Sequence, residues 1–594
     1  MSERALAGRR ALDDIRQLQI QRDWEWVEQQ SKWALHIALS PNLTATEFIP
    51  ARTLWYFVVE DGYPAGDVKL YPACRGGITA TFQHQSHNKD RNDSPWRTGD
   101  ICLATNFRQL GRDGYDDEPK TAHERLHWHA ERALEWLSAA CQDDLARPGE
   151  PFELPALDFG NSQHLAFVEN ESRFRRWTEL SDQFGLCVVA SNDAIRGFRV
   201  ISYRTKSGAL ITSDWGTAIA DARDDDKPAM WIRCSKIPIV RPWRFPETWG
   251  ELRTTLKPLG VDFDRCCREA SPSGLRDGKR HFCLLGFPIP ETIGGPPCQF
   301  HWLACELPIL TSPFSKGGFG NDPIKLWSRD REMFFPSNGS IRWIKTANWD
   351  KDQIQTRGRF PQPFIAKKMV VVGVGAVGSV LAELLVRGGV TDLILVDNQP
   401  LRIGNLSRHT LTMSQLDYPK AESLMMRSNL ISPHARVRCI SSSLEDIDGK
   451  NRKDILDAEI VWDCTGSDDV FRTLETIPWS YHSILYSLSL SFGARRLFLY
   501  SQPPPVRFAV FAEKLLPWLI KDREDRRERN EPLPREGIGC WHPVFPASAV
   551  DVHLMVAIAL KAAVESASIP APVLRVFEQV SREGVTVGVQ QVEG

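Results

Sequence analysis

Gly373-Val374-Gly375-Ala376-Val377-Gly378 is the segment that most narrows what this chain can fold into. It follows the apolar, β-branched run Met369 to Val372 and opens the helical run SVLAELLVRGGV. Strand, tight glycine turn and helix in that order begin a doubly wound α/β sheet. The first glycine permits the turn, and the second lets backbone amides approach a phosphate. The third lets helix and strand pack closely, while the helix N-terminus attracts the anion. Asp397 closes the next apolar strand, TDLILVD, where a carboxylate can bond a ribose hydroxyl. These features specify a nucleotide with ribose and phosphates, and an NAD-dependent oxidoreductase would show them too. The run from Met369 to Val386 is the longest apolar stretch, but its three glycines and Glu383 mark strand plus helix rather than a membrane span.

The residues beyond Asp397 narrow the chemistry. Asn405-Leu406-Ser407-Arg408 follows closely, and Lys420 opens the helical stretch KAESLMMRSNLISP. Two cations and an amide just past the ribose-binding acid suit a triphosphate attacked at its α-phosphate, whereas hydride transfer needs no such charge compensation. Taken singly, Arg408 is equally a surface ion pair and Lys420 a helix-face residue. The reading rests on their joint spacing.

The fingerprint occupies only part of a 594-residue chain, long enough for about four domains or three large ones. Three blocks are read. Residues 1–150 begin with a charged helix from Ala5 to Trp33, followed by β-like runs (WALHIALSPN, TLWYFVVEDGYPAGDVKLYPA) and a second helix near Thr121 to Ala140. The Pro-rich segment Arg147 to Pro155 is a boundary. Residues 156–358 mix short strands with Trp- and Pro-rich connectors and carry no fingerprint. Gly358 to Lys368 reads as a second linker, and residues 359–594 have the βαβ texture. Lys+Arg 73 against Asp+Glu 75 leaves a net charge of −2, which argues against a nucleic-acid partner and against a disordered acidic chain. The amphipathic, charged N-terminus lacks a signal-peptide pattern, so a cytoplasmic location with no membrane partner is expected.

Thirteen cysteines, odd in number and without a CxxC, disfavour a zinc ribbon and a secreted disulfide scaffold. Cys187 and Cys464 read as small buried hydrophobes, and adjacent Cys266-Cys267 make poor joint ligands for one zinc. Cys540 differs. It stands in GIGCWHP, after a polar stretch from Lys521 to Gly539 read as mobile and before an apolar helix from Ala547 to Ala563. A thiolate near a helix entrance or a cation is the better nucleophile. Cys102 lies in Gly99-Asp100-Ile101-Cys102-Leu103, downstream of His84, His87 and Asn88; its alternative is a core residue between Ile101 and Leu103. His123-Glu124-Arg125-Leu126-His127 formally matches H-E-x-x-H. No third zinc ligand accompanies it and an apolar stripe already uses the helix, so no metal-ligating set is assigned.

The C-terminal pattern resembles the adenylation domain shared by ubiquitin-activating enzymes and the bacterial sulfur-carrier activators of thiamin and molybdopterin synthesis, over roughly residues 355–594. The resemblance implies ATP and Mg2+, a carboxyl terminus as substrate and an acyl-adenylate intermediate. It makes Gly373, Gly375 and Gly378 the nucleotide loop, Asp397 the ribose ligand, and Asn405, Arg408 and Lys420 the phosphate-contacting set. Two departures stand out: His409 replaces the usual Gln, and Gly466 takes the place of the magnesium-linked Asp, for which Asp468 is the substitute. In that family a cysteine placed as Cys540 is takes the acyl group from the adenylate. Residues 1–150 resemble a ubiquitin-conjugating enzyme, whose G-x-I-C-L segment would make Cys102 the second thioester. The His-Pro-Asn of that family is missing, and either His87-Asn88 stands in its place, with Asn88 donating to the oxyanion, or His84 contributes.

The expected fold is therefore α/β: a C-terminal Rossmann-like adenylation domain, an N-terminal ubiquitin-conjugating-like α+β domain and a middle linker domain. The order of the modules resembles the bacterial ligase of the cyclic-oligonucleotide-based antiphage signalling system. That implies a cGAS/DncV-like nucleotidyltransferase as the partner whose C-terminal glycine is activated, an unidentified acceptor protein, a homodimer and an antiviral role. An NAD-dependent oxidoreductase and a non-catalytic nucleotide-binding scaffold remain as alternatives.

Overall fold

The computed structural model describes residues 3–593 apart from 42–43, 104–116, 158, 160–162, 193–196, 221–225, 271–273, 313–321, 448, 537–541, 567–569 and 584. The chain forms two compact units. The first holds most of the residues up to Asn348; the second holds Trp349 onward and a short segment that begins at Ser213.

The first unit begins with helix α1 (Glu3–Ala11), which ends well short of the expected Trp33, because Leu18–Val27 is strand β1. The reason is the two-residue alternation LQIQRDWEW, which turns Leu18 and Trp24 inward, and a helix cannot bury such a pattern. Strands β2 (Lys32–Leu39), β3 (Thr53–Val59) and β4 (Val68–Pro72) extend β1 into an antiparallel meander. Helix α2 (Ala122–Gln142) buries Leu126, Ala130, Ala133 and Leu137, spaced one turn apart, against Leu35, Ile37, Trp55 and Phe57 of the sheet.

The middle residues build a second sheet from β5 (His164–Phe167), β6 (Phe184–Asn192), β7 (Gly197–Thr205), β8 (Leu210–Thr212), β9 (Lys227–Arg233), β10 (His281–Pro290), β11 (Pro297–Leu307) and β12 (Arg342–Asn348). The spatial order is β5-β12-β11-β10-β9-β6-β7-β8, and β5 also pairs with β7, so seven strands close into a barrel. Closure removes the open edges. The tryptophans expected in connectors instead fill the interior: Trp231 and Trp302 from the strands, and Trp177 from helix α3 (Glu171–Glu179). A fully buried carboxylate sits among them. Glu169 accepts N–H bonds from Trp177 (3.0 Å) and Trp302 (2.9 Å), with Arg173 Nε 3.6 Å away. A short helix, α4 (Thr217–Ala220), counts with the second unit. Helices α5 (Trp249–Leu256), α6 (Phe263–Ala270) and α7 (Pro323–Met333) cover one side of the barrel.

In the second unit the short helices α8 (Lys351–Ile354) and α9 (Gln362–Ile365) precede the sheet. Phe364 and Ile365, expected in a linker, are buried in its core. Strand β13 (Met369–Val372), helix α10 (Ala376–Arg387), strand β14 (Asp392–Val396), helix α11 (Lys420–Asn429) and strand β15 (Arg436–Ile440) follow the expected pattern. Then come α12 (Gly449–Leu456), β16 (Ile460–Asp463), α13 (Asp468–Thr476), β17 (Ile484–Leu490) and β18 (Arg496–Gln502). The spatial order β15-β14-β13-β16-β17 is parallel and reverses direction beside β13. That is the switch point at which α/β sheets bind ligands. Met369 and Val371 face one core with α10; Val370 and Val372 face the other, with α13.

Helix α14 (Phe508–Glu528) takes in half of the charged stretch expected to be mobile. Asp522 is buried and accepts the Phe492 N–H at 3.0 Å, and Asp525 pairs with Arg496 at 2.6 Å, so one face of the charge run is tied to the domain. Arg535–Glu536 (β19) and His542–Pro543 (β20) form a small ribbon, and helix α15 (Ala549–Glu565) packs on α10. Strands β21 (Val573–Arg582) and β22 (Val585–Glu593) complete the sheet edge. Among the described residues no helix is long and apolar enough to cross a membrane.

The buried carboxylate of the barrel yields a stability test. Trp302→Phe removes one of its donors and, by losing the indole's five-membered ring, leaves a small cavity, and we expect a loss of about 2–4 kcal/mol in urea unfolding of the full chain. An unchanged unfolding midpoint would show that the carboxylate does not depend on the indoles.

Candidate active site

The glycine turn is built by close approach. Gly373 has a φ of +80° and lies against Thr465, so a Cβ there would stand 2.5 Å from the threonine methyl. Its N–H donates to the Val396 carbonyl at 2.8 Å. A Cβ on Gly378 would stand 2.0 Å from the Gly373 carbonyl, which is the helix–strand contact its glycine permits. At Gly375 a Cβ would meet nothing, so space lies open where the α10 amides begin. An anion fits there on geometry and on the helix dipole.

Val374, the one large residue of the turn, is held by both of its peptide groups. Its N–H donates to Asp397 Oδ2 at 2.9 Å, and its carbonyl accepts from His409 Nε2 at 2.7 Å. Asp397 Oδ1 accepts the Gln399 N–H at 2.8 Å. The carboxylate is thereby aimed from the end of β14 while keeping lone pairs for a ribose. Lys420, buried at the start of α11, donates to Gln399 Oε1 at 3.1 Å and so joins the same network. Asn405 orders the preceding loop: its carbonyl accepts the Arg408 and His409 N–H groups, and Oδ1 accepts the Arg402 N–H at 2.9 Å.

His409 explains one departure from the expected pattern. Nδ1 accepts the Leu411 N–H at 3.1 Å while Nε2 donates to Val374, which fixes a neutral ring with one donor and one acceptor. A glutamine amide offers the same pair. Burial pushes its pKa down to about 4, with the Lys420 charge adding to the effect. The sequence marked His409 only as a departure, and its grip on the turn follows from the fold.

A cavity of about 690 Å³ opens beside the turn. Arg408 and Asp468 line it together with the first turn of α10; Asp397, Asn405 and Lys420 do not. Phe511, Leu515 and Leu519 of α14 give its other wall an apolar surface. Arg408 also donates to the Phe545 carbonyl. Asp468 begins α13 and is exposed, whereas Asp463 is buried and spent: it accepts from Thr465 N (3.0 Å), Thr465 Oγ1 (2.6 Å) and Ser487 Oγ (2.8 Å). An exposed carboxylate at a cavity rim suits a magnesium ion shared with phosphates. The cavity thus pairs an anion-binding end with an apolar wall.

In the first unit Cys102 is exposed, not a core residue, while Ile101 and Leu103 on either side are buried. Its N–H donates to the His84 carbonyl at 2.7 Å. Asn88 is no oxyanion donor in this arrangement. Both of its amide hydrogens are given away, to the Ile78 and Ala80 carbonyls (3.0 and 2.9 Å), and its oxygen accepts from Arg97 at 2.9 Å. His87 is buried with Nε2 3.2 Å from Glu247. Of the H-E-x-x-H residues, Glu124 accepts from Thr121 and His127 pairs with Glu131, each within its own helix or cap. Burial pushes the Cys266 thiol up to about 12 and those of Cys187, Cys267 and Cys464 higher still, which makes them poor nucleophiles at neutral pH. Cys540 lies outside the described residues.

Two tests follow. Gly378→Ala must push helix and turn apart, and we expect it to cost about 1–3 kcal/mol in stability and to lose nucleotide binding by calorimetry. The folded pKa of His409 lies below the ordinary 6.5, so the unfolded chain binds that proton first. Stability is whole above pH 6.5 and falls by up to about 3 kcal/mol as the pH drops towards 4. In thermal melts His409→Gln should flatten that dependence; a curve unchanged by the substitution would remove His409 as its source.

Comparison with known proteins places these elements in a family. Residues 143–349 match the Cap2 central linker domain, and residues 362–481 match the ThiF family. The molybdopterin-synthase adenylyltransferase of Haemophilus influenzae is 32% identical over 111 residues, 18% of this chain and 45% of that protein. The ubiquitin-like modifier-activating enzyme 5 of Culex quinquefasciatus is 39% identical over 71 residues, 12% of this chain and 18% of that protein. The ATP-dependent ubiquitin transferase-like protein Cap2 of Enterobacter hormaechei subsp. hoffmannii is 30% identical over 571 residues, 92% of each chain. This chain belongs to the Cap2 family of ATP-dependent ubiquitin transferase-like proteins.

Proposed function

We propose that the protein is an ATP-dependent ligase that adenylates a protein C-terminal glycine and passes the acyl group along two cysteines to a target amine. The observation that carries this reading is similarity along 92% of the chain to an ATP-dependent ubiquitin transferase-like protein. The clamped glycine turn, with Asp397 and the Lys420–Gln399 contact beside it, supports the first step. The glycine carboxylate attacks the α-phosphorus of ATP, an anhydride bond forms and pyrophosphate leaves. Asp397 would hold the ribose, the α10 amides and Lys420 the phosphates, and Arg408 the charge developing during attack. Asp468 would hold Mg2+, which when bound neutralises phosphate charge. The apolar wall along α14 suits the incoming polypeptide tail.

Cys540 then attacks the acyl-adenylate, a thioester forms and AMP leaves. Cys102 attacks that thioester, the acyl group moves to its sulfur, and an amine of an unidentified acceptor displaces it. Such a relay divides one hard amide synthesis into easier steps. In this reading residues 1–150 are the conjugating domain, 156–358 the linker domain and 359–594 the adenylating domain. The partner offering its C-terminal glycine is a cGAS/DncV-like nucleotidyltransferase, and the enzyme works as a cytoplasmic homodimer in antiphage defence.

Intact-mass analysis after incubation with ATP, magnesium and a cGAS/DncV-like nucleotidyltransferase tests the relay. Cys540→Ala should abolish both thioesters, whereas Cys102→Ala should retain only the first; a normal conjugate from either variant removes that cysteine. Lys420→Ala should slow ATP–pyrophosphate exchange by about 10²–10³-fold. Nicotinamide binding without exchange would instead favour an oxidoreductase.

A further inference from the structure

Cys102 has a neighbour whose chemistry the relay leaves unused. The backbone bonds Cys102 N–H to His84 O (2.7 Å) and Ser86 N–H to Asp100 O (2.9 Å) flank the bridge between Gln85 and Ile101. That pattern sets the His84 backbone directly opposite that of Cys102. Gln85 and Ile101 are buried, while Cys102 is exposed and the His84 side chain keeps 40% of its surface. His84 has a φ of +53°, a left-handed conformation that a residue other than glycine rarely adopts. Such backbone strain collects where a side chain must be aimed.

A carboxylate from the middle residues holds that side chain. Glu153 Oε2 lies 3.1 Å from His84 Nδ1, so Nε2 is the nitrogen that this carboxylate does not hold, and the Leu145 backbone makes a further bond to the ring. The pair borders a slot of about 210 Å³ lined by Phe152, Trp243 and Ile293, an apolar setting that strengthens the contact. An imidazole held by a carboxylate thus stands on the backbone neighbour of the thiol-bearing residue, the components an activated thiol requires.

We propose that His84 is the proton-transferring residue of the Cys102 step and that Glu153 positions it. The proposal rests on the reading of Cys102 as a thioester carrier. On loading, the Cys102 S–H proton passes to His84 Nε2. The sulfur bonds the incoming acyl carbon, the old C–S bond breaks, the donor sulfur leaves as a thiolate and His84 returns its proton to water. On discharge the acceptor amine forms the C–N bond and the C–S bond breaks. The proton released from nitrogen passes through Nε2 to the departing sulfur. The Glu153 contact raises the pKa of His84 against the opposing effect of burial, with the Glu150 charge and a bond to the Leu145 backbone adding to it; the remaining slot residues are neutral. A raised pKa makes the imidazole a stronger base.

The test uses the full chain charged with ATP, Mg2+ and a cGAS/DncV-like nucleotidyltransferase, then discharged onto free lysine in a single turnover. His84→Ala and Glu153→Gln should each slow discharge by about 10²-fold, and Glu153→Asp should restore much of it. Because Glu153 raises the His84 pKa, Glu153→Gln should also move the acid limb of the rate profile to lower pH. Discharge at the parental rate in both variants, or slowing in Glu153→Gln without that displacement, overturns the proposal. Iodoacetamide labelling of Cys102 in the uncharged protein separates the two readings. Slower labelling in His84→Ala supports the pair even if Cys102→Ala conjugates normally and the relay fails, and unchanged labelling counts against it.

Discussion

The clamp on Val374 is the contact on which the second unit's site depends. Its N–H is taken by Asp397 and its carbonyl by His409, so one residue between two glycines is fixed on both sides, by the residue that follows β14 and by one from the loop beyond it. Glycine makes the turn possible and costs conformational entropy in doing so. The two hydrogen bonds offset that cost, since neither peptide group is left unpaired in a buried place. The same bonds aim the Asp397 carboxylate. The shape of the turn and the direction of the Asp397 carboxylate are therefore one property.

His409 and Lys420 show how charge is managed there. A cation buried close to an imidazole disfavours a second positive charge, and burial acts in the same direction. The ring stays neutral and works as a hydrogen-bonding strut, which leaves the positive charge to Lys420 and Arg408. In the first unit the balance is reversed: a carboxylate beside His84 favours the charged ring. Two histidines of one chain are thus set for different work by what stands next to them.

Much of the second unit was legible from residue order. The β-branched runs, the glycine spacing and the helix after them leave one compact arrangement, and Met369–Val372, Ala376–Arg387 and Asp392–Val396 fall where that pattern puts them. The first unit was less legible. The amphipathic start read as one long helix, yet LQIQRDWEW alternates and forms a strand. The tryptophans of the middle block read as connector residues, because nothing local says that seven strands close into a barrel around them. Closure depends on β5 meeting both β12 and β7, which lie far from one another in sequence.

The sequence by itself determined the glycine turn, the acid at the end of the next strand and the cysteine motif Gly99 to Leu103, whose exposure at Cys102 the fold then decided. Each is a local pattern whose chemistry follows from spacing along a few residues. Only the tertiary structure decided that Asn88 is consumed by backbone carbonyls, that Asp463 is spent inside the sheet, and that Glu153, within a segment that reads as a boundary, reaches His84. Hydrogen-bond capacity is finite and is shared among groups brought together by folding. Which donors and acceptors remain for chemistry is settled only once distant parts of the chain have met.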